Sequence, residues 1–507
     1  MSENNAPVVQ TEGGAVRGFV DASGGGDVFT FKGIPYGEAR RFLAPQRTQW
    51  DGVRDCLEYG PTSHQPERRN PSISGRPPTD HGEDCLVLNV WTRGLGDGGK
   101  RPVMFWIHGG GFSTGSGSTP LVHGANLARR GDVVAITVNH RLGALGHLYL
   151  ADLDERFPTS GVNSFLDFVR ALEWVRDNVE AFGGDPDNVM IFGESGGGGK
   201  VATLLTMPSA RGLFKRAAIQ SGIKCNNDRG RPTVFGKHGI TVEQATHFRN
   251  QVLGKLGLGE NDFEKLLELS AVDITSAQGE VEAENLVLGP VIDGEIMPRH
   301  PFDPDVAPTA ADIPLLIGAN GDEWFNYIAA KPHFKGIDWD GVVQWSVDWH
   351  LDRATAERIT ADFRRLYPDA SPEDLLTTIC SDHMIRVPSV RIADLRSQEG
   401  TAPVYHYAFT YDSPVSGKSV HALDIPFVFD NVDATPLTGE GPERYELAAR
   451  MSDAWIAFAR TGNPNHEGLP EWPAYEPGTR QTMILDLETR VASNYLEEQN
   501  RIWDGVL

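Results

Sequence analysis

Gly193-Glu194-Ser195-Gly196-Gly197 follows directly on the apolar run Val189-Met190-Ile191-Phe192. Glycines on both sides of a serine let the backbone bend sharply, which lifts the hydroxyl above the end of a strand and keeps bulky side chains clear of it. A glycine-rich loop with an incidental serine has the same five letters, so the rest of the chain must decide between the two. Serine attacks a carbonyl only when a base takes its proton and hydrogen-bond donors stabilise the resulting oxyanion. Donors are offered by His108-Gly109-Gly110-Gly111-Phe112, where consecutive glycines let backbone N–H groups converge on one point. The expected donors are the N–H groups of Gly110 and Gly111, with that of Gly196, the residue after the serine.

Groups of this kind need rigid strands beneath them. Pro102 to Ile107 and Val133 to Val138 are unbroken apolar runs of strand length, the pattern of central parallel strands covered on both faces. Phe165, Phe168, Leu172, Val175 and Val179 recur at helical spacing before Gly183-Gly184, which predicts a crossover helix leading into the serine-bearing strand. Further strands are expected at Cys85 to Val90, Pro314 to Ile317 and Val404 to Phe409. A terminal helix is expected around Ala454 to Ala459, stopped by Gly462 and Pro464. Gly14 to Phe19 and Asp27 to Phe31, around Gly24-Gly25-Gly26, predict a small N-terminal antiparallel segment. The alternation of strand and helix gives an α/β fold with its site at the carboxyl ends of the strands. No linker divides the 507 residues, so one domain, 1–507, is expected.

A hydrophobic content of 40% supports a large core, and the net charge of −23 argues against nucleic acid or an anionic membrane surface as the main partner. No apolar run is long enough to span a bilayer. The first residues lack the basic and apolar regions of a secretory signal, and Asn70-Pro71-Ser72 is disqualified as a glycosylation acceptor by its proline. The four cysteines, Cys56, Cys85, Cys225 and Cys380, are widely spaced, as in a reducing cytoplasm. Phosphate-loop readings fail at the first glycine, replaced by Glu194 before Lys200 and by Asp412 before Lys418, and no His-Glu-x-x-His zinc helix exists.

The chain resembles the type-B carboxylesterases, the α/β-hydrolase family that includes cholinesterases and bacterial p-nitrobenzyl esterases. The motifs that carry the resemblance run in order along nearly the whole chain: Phe31 to Tyr36, Glu83 to Val90, Val138 to Gly143, Phe182 to Pro186 and Phe192 to Gly197. The family's acid lies in a Gly-x-Asn-x-Asp-Glu context, matched by Gly318 to Glu323, which implies Glu323 as the acid with Asp322 as fallback. Its histidine lies in a His-x-x-Asp/Glu-x-Pro-Phe segment, matched by His421 to Phe427, whereas His406 is expected to be packed in its strand. The resemblance thus implies a Ser195, Glu323, His421 triad cleaving carboxylic esters through an acyl-enzyme, with broad specificity. It implies no metal or organic cofactor, and small-molecule esters as partners. Amide or carbamate hydrolysis by the same triad stays open, as does a non-catalytic, cholinesterase-like binding protein.

The chain also departs from the family. Relatives commonly carry alanine and small residues after the serine, where this chain has Gly196 to Gly199 and then Lys200. Each helical glycine is about 0.8–1 kcal/mol worse than alanine, so this helix is expected to begin late or to be offset by tight packing. The glycines are further expected to widen the floor of the acyl pocket, so that Gly197→Ala would narrow acyl-chain preference. Trp324 stands where relatives often have glycine, either lining the site or covering the core. Cys85 occupies a family disulfide position, but no cysteine lies in the expected partner region, Gly60 to Gln65. The segment Gly37 to Phe42 is shorter than usual, which is expected to alter the rim of the site.

Overall fold

A computed structural model describes residues 6–66, 79–222, 239–284, 286, 288–349 and 351–507. Cys225 and the Asn70-Pro71-Ser72 segment lie outside these. In chain order the strands are β1 (Val8–Gln10), β2 (Ala15–Arg17), β3 (Phe19–Asp21), β4 (Val28–Pro35), β5 (Val53–Asp55), β6 (Val87–Thr92), β7 (Arg101–Ile107) and β8 (Val134–Val138). They continue with β9 (Gly184–Glu194), β10 (Arg216–Gln220), β11 (Leu315–Asn320), β12 (Val404–Phe409), β13 (Thr482–Leu485) and β14 (Arg490–Ala492).

Eleven of these strands form one sheet in the order β14-β13-β12-β11-β10-β9-β7-β8-β6-β4-β3. From β13 to β8 every pairing is parallel, and antiparallel strands close both edges. The apolar runs read from the sequence make the middle of this sheet, because residues buried on both faces have no place for polar alternation. In β7, Val103, Phe105 and Ile107 enter one core while Met104 and Trp106 enter the other. The crossover helix Asn163–Asn178 covers the first face with Phe165, Phe168, Leu172 and Val175. The helix Glu443–Thr461 covers the second with Leu447, Met451, Trp455 and Phe458. Each such fully buried side chain contributes about 1.5–3 kcal/mol. The chain thus has the architecture of an α/β hydrolase, a large mixed sheet flanked by helices.

Two local expectations change. The run Gly14 to Phe19 is split at Gly18 into β2 and β3, which join different sheets, because the chain crosses β4 there so closely that a Cβ on Gly18 would lie 2.4 Å from the Thr30 carbonyl oxygen. The expected antiparallel segment around Gly24-Gly25-Gly26 is the pair β3 and β4, while β2 belongs to a separate small sheet, antiparallel to β1 and parallel to β5. The helix expected as terminal is the last part of Glu443–Thr461, ended by Gly462 at φ 80°, and a short helix Glu497–Ile502 follows it. Among the described residues no helix is long and apolar enough to cross a membrane.

Candidate active site

β9 lies between β7 and β10, with Gly193 opposite Ile107 and Ile219, so its end sits at the middle of the parallel sheet. Ser195 leaves it at φ 56°, ψ −126°, a conformation that costs an L-residue about 1–3 kcal/mol and is held here by its N–H donating to the Gln220 carbonyl at 2.9 Å. The hydroxyl-bearing residue is half-buried, and the helix Gly196–Leu204 starts immediately after it.

That start overturns the late-helix expectation in favour of tight packing. A Cβ on Gly197 would lie 2.1 Å from the Ile107 carbonyl oxygen, one on Gly196 would lie 2.4 Å from the Gly111 carbonyl oxygen, and one on Gly198 would lie 2.8 Å from Gly222 Cα. The glycines therefore permit backbone to meet backbone. Gly197 faces the end of β7 and not an acyl pocket, so the expected wider pocket floor is set aside.

The glycine loop after β7 lies against the elbow. Gly110 and Gly111 adopt φ 94° and 63°, and the Gly110 carbonyl is fixed by the N–H of Thr114 at 3.1 Å and its hydroxyl at 3.0 Å. Among the described residues neither the Gly110 nor the Gly111 N–H donates a hydrogen bond. With Gly196 touching Gly111, the three expected donors come from two segments that the fold presses together.

Two more loops bring an acid to a histidine. Glu323, wholly buried three residues beyond β11, accepts from the Asn320 N–H at 2.6 Å, and its second oxygen accepts from His421 Nδ1 at 2.5 Å. The loops are laced by the Asn320 amide on the Val420 carbonyl at 2.8 Å and the Asp322 N–H on the Ser419 carbonyl at 2.8 Å. Asp322 accepts from the Ser419 N–H and faces Lys418, so it braces the loop while Glu323 meets the ring. The other ring nitrogen, His421 Nε2, lies 3.2 Å from Glu194 Oε1, on the residue preceding Ser195. Burial alone would push the His421 pKa down, but Tyr327, Glu194 and Glu323 together hold it well above the usual imidazole value.

Behind the ring, Asp424 accepts from the Gln220 amide at 2.8 Å and the Tyr407 hydroxyl at 3.1 Å, and burial pushes its carboxyl up to about 6. Trp455 Nε1 donates to Gln220 at 3.2 Å, so the end of β10 and the His421 loop share one buried network. Sequence reasoning passes over Glu194, Gln220 and Tyr327: the x of Gly-x-Ser-x-Gly carries no fixed meaning, and a contact across loops has no local signature. One signal was available for Tyr327, which lies one turn beyond Glu323 and packs its ring 5.6 Å from that of His421.

The remaining candidates fall elsewhere. His406 sits inside β12, bonded to the Thr482 hydroxyl at 3.1 Å, with burial holding its pKa near 3. Trp324 is buried in the core, edge-on to Trp349 at 5.3 Å. Cys56, Cys85 and Cys380 are buried free thiols, and burial pushes those of Cys56 and Cys85 up to about 12. Among the described residues no group of three or more His, Cys, Asp or Glu side chains is placed to hold a metal ion.

Residues 5–503 match the model of the Carboxylesterase family. The chain is 35% identical over 510 residues to the para-nitrobenzyl esterase of Bacillus subtilis, covering 97% of this chain and 98% of that one. It is 34% identical over 508 residues to the phenmedipham hydrolase of Pseudarthrobacter oxydans, covering 94% and 95%. A solved carboxylesterase of Geobacillus stearothermophilus superposes with a TM-score of 0.84 at 35% identity, covering 98% and 99%.

Proposed function

The chain belongs to the carboxylesterase family and is a carboxylic ester hydrolase, and from that premise we propose that Ser195, His421 and Glu323 form its catalytic triad. His421 takes the Ser195 proton as Oγ attacks the ester carbonyl. The negative charge that develops on the carbonyl oxygen falls to the N–H groups of Gly110, Gly111 and Gly196. The protonated ring gives its proton to the leaving alcohol, leaving an acyl-serine. It then deprotonates a water that attacks the acyl carbonyl, and it returns the proton to Ser195 as the carboxylic acid departs. Glu323 holds Nδ1–H, which leaves Nε2 as the basic nitrogen.

One observation carries this reading: His421 is held on one side by the buried Glu323 at 2.5 Å and faces Glu194, the neighbour of Ser195, on the other at 3.2 Å. Substrates are small-molecule esters. We take the specificity to be broad and the chain to be one continuous domain, since strands from residues 19 to 492 share one sheet. The buried free thiols favour a reducing cytoplasm.

Titration with an organophosphate tests the assignment. One equivalent should add to Ser195, and Ser195→Ala should take up none and lose roughly 10⁴-fold or more in turnover of a p-nitrophenyl ester. Labelling of Ser195→Ala at the same stoichiometry would move the nucleophile elsewhere. Matched anilides and carbamates, run beside the esters, measure how far the same site reaches beyond esters.

A further inference from the structure

Lys200 is wholly buried one turn along the elbow helix, five residues after Ser195. A fully desolvated ammonium is costly, and replacing such a charge by an apolar group of similar volume is often neutral or stabilising. Its presence therefore calls for a role. The side chain points back toward the helix start, as helical side chains do, and its Nζ donates to the His108 carbonyl at 3.0 Å. Gly197, three residues earlier on the same helical face, meets that same group: a Cβ there would lie 3.0 Å from both His108 C and O. The bare face of Gly197 and the reach of Lys200 thus converge on one peptide.

That peptide joins His108 to Gly109, directly after β7, and leads into Gly110 and Gly111, which take positive φ. The His108 ring is tied as well, with Nδ1 on the Gly109 carbonyl at 2.8 Å and a stack on His140 at 4.9 Å. Glycine loops hold direction poorly by themselves, because nothing but hydrogen bonds restrains them. A charge-assisted bond to the preceding carbonyl is roughly twice as strong as a neutral one. The nearby His140 and His147 are held neutral by burial, with the Lys200 charge adding to the effect.

We propose that Lys200 is a positioning residue of the oxyanion pocket, whose ammonium clasps the His108 carbonyl and so fixes the glycine loop against the helix that carries Ser195. It rests on the Ser195 and Gly110/Gly111/Gly196 reading given above, and it concerns geometry: Lys200 acts through the His108 peptide that its ammonium holds. A loop that drifts when the clasp is removed loses transition-state contacts before it loses substrate, because the oxyanion forms only during reaction.

The test compares Lys200→Met and Lys200→Gln with the wild-type full chain, and runs Ser195→Ala alongside. The clasp predicts a fall in kcat of roughly 10- to 100-fold with KM changed by less than about 2-fold, the scale of a displaced oxyanion donor. Affinity for a trifluoromethyl ketone, which forms a tetrahedral adduct on the serine, should fall by the same factor, while Tm stays level or rises. A folded Lys200→Met protein with wild-type kcat overturns the proposal, as does loss of folding in both neutral variants, since that would make the lysine a stability element. Ser195→Ala separates the two levels of argument. If it retains turnover, the site reading itself fails; if it is inactive while Lys200→Met is fully active, only the clasp fails.

Discussion

His421 has a carboxylate at each ring nitrogen, Glu323 at 2.5 Å and Glu194 at 3.2 Å, and Tyr327 and these two carboxylates raise its pKa against the opposing effect of burial. Its folded pKa is raised above the ordinary 6.5, so the protonated ring stabilises the fold fully below about pH 6.5 and that stabilisation is lost as pH rises through the folded value. The sign for activity is the opposite. As the proposed base, His421 must be neutral to act, so turnover should be lost as pH falls through the raised pKa, and the acid limb of kcat/KM should have its midpoint above 6.5. Glu194→Gln removes one of the raising charges and should move that midpoint down. A pH profile of the variant that superposes on the wild type would show that Glu194 does not act on the ring.

Among the elements, the elbow and the strand beside it matter most. Gly197 separates the helix Gly196–Leu204 from the end of β7 by less than a methyl group, with the Ile107 carbonyl oxygen 2.1 Å from where a Cβ would be. Both partners are backbone, so no side chain can swing away. Gly197→Ala should cost at least the 1–3 kcal/mol usual for overpacking, against a helix-propensity gain of only about 0.8–1 kcal/mol, so the net effect is destabilising. Thermal melts should show a drop in Tm of several degrees, whereas an unchanged Tm with a narrower acyl-chain preference would restore the pocket-floor idea. The same close packing explains why the glycine run is tolerated: what it loses in helix propensity it recovers by letting the glycine loop after β7 and the serine-bearing turn touch.

At the scale of the whole molecule, one sheet, eleven strands among the described residues, gathers loops from distant parts of the chain at its centre, with separate cores on its two faces. Cys56, Cys85 and Cys380 lie inside this structure as free thiols, so dithiothreitol should leave Tm unchanged, and a marked drop would reveal a disulfide. Much of this was legible in the chain. The strands of the sheet's middle declare themselves because burial on both faces forbids polar residues, the Ser195 turn because only glycine lets backbone meet backbone around it, and the glycine loop because Gly110 and Gly111 take positive φ. The positions of Glu323 and His421 came from motif resemblance, since a lone loop carboxylate or histidine has no periodicity to betray it. What the sequence alone determined was therefore the family, the local turns and the elements under them. Only the tertiary structure decided that Glu194 faces His421, that Gly197 abuts β7 and not a pocket, and that Lys200 reaches the His108 carbonyl. Each is a contact between segments 90 or more residues apart in the chain, whose distances are set by how strands pair and helices pack, and no local pattern of residue types encodes them.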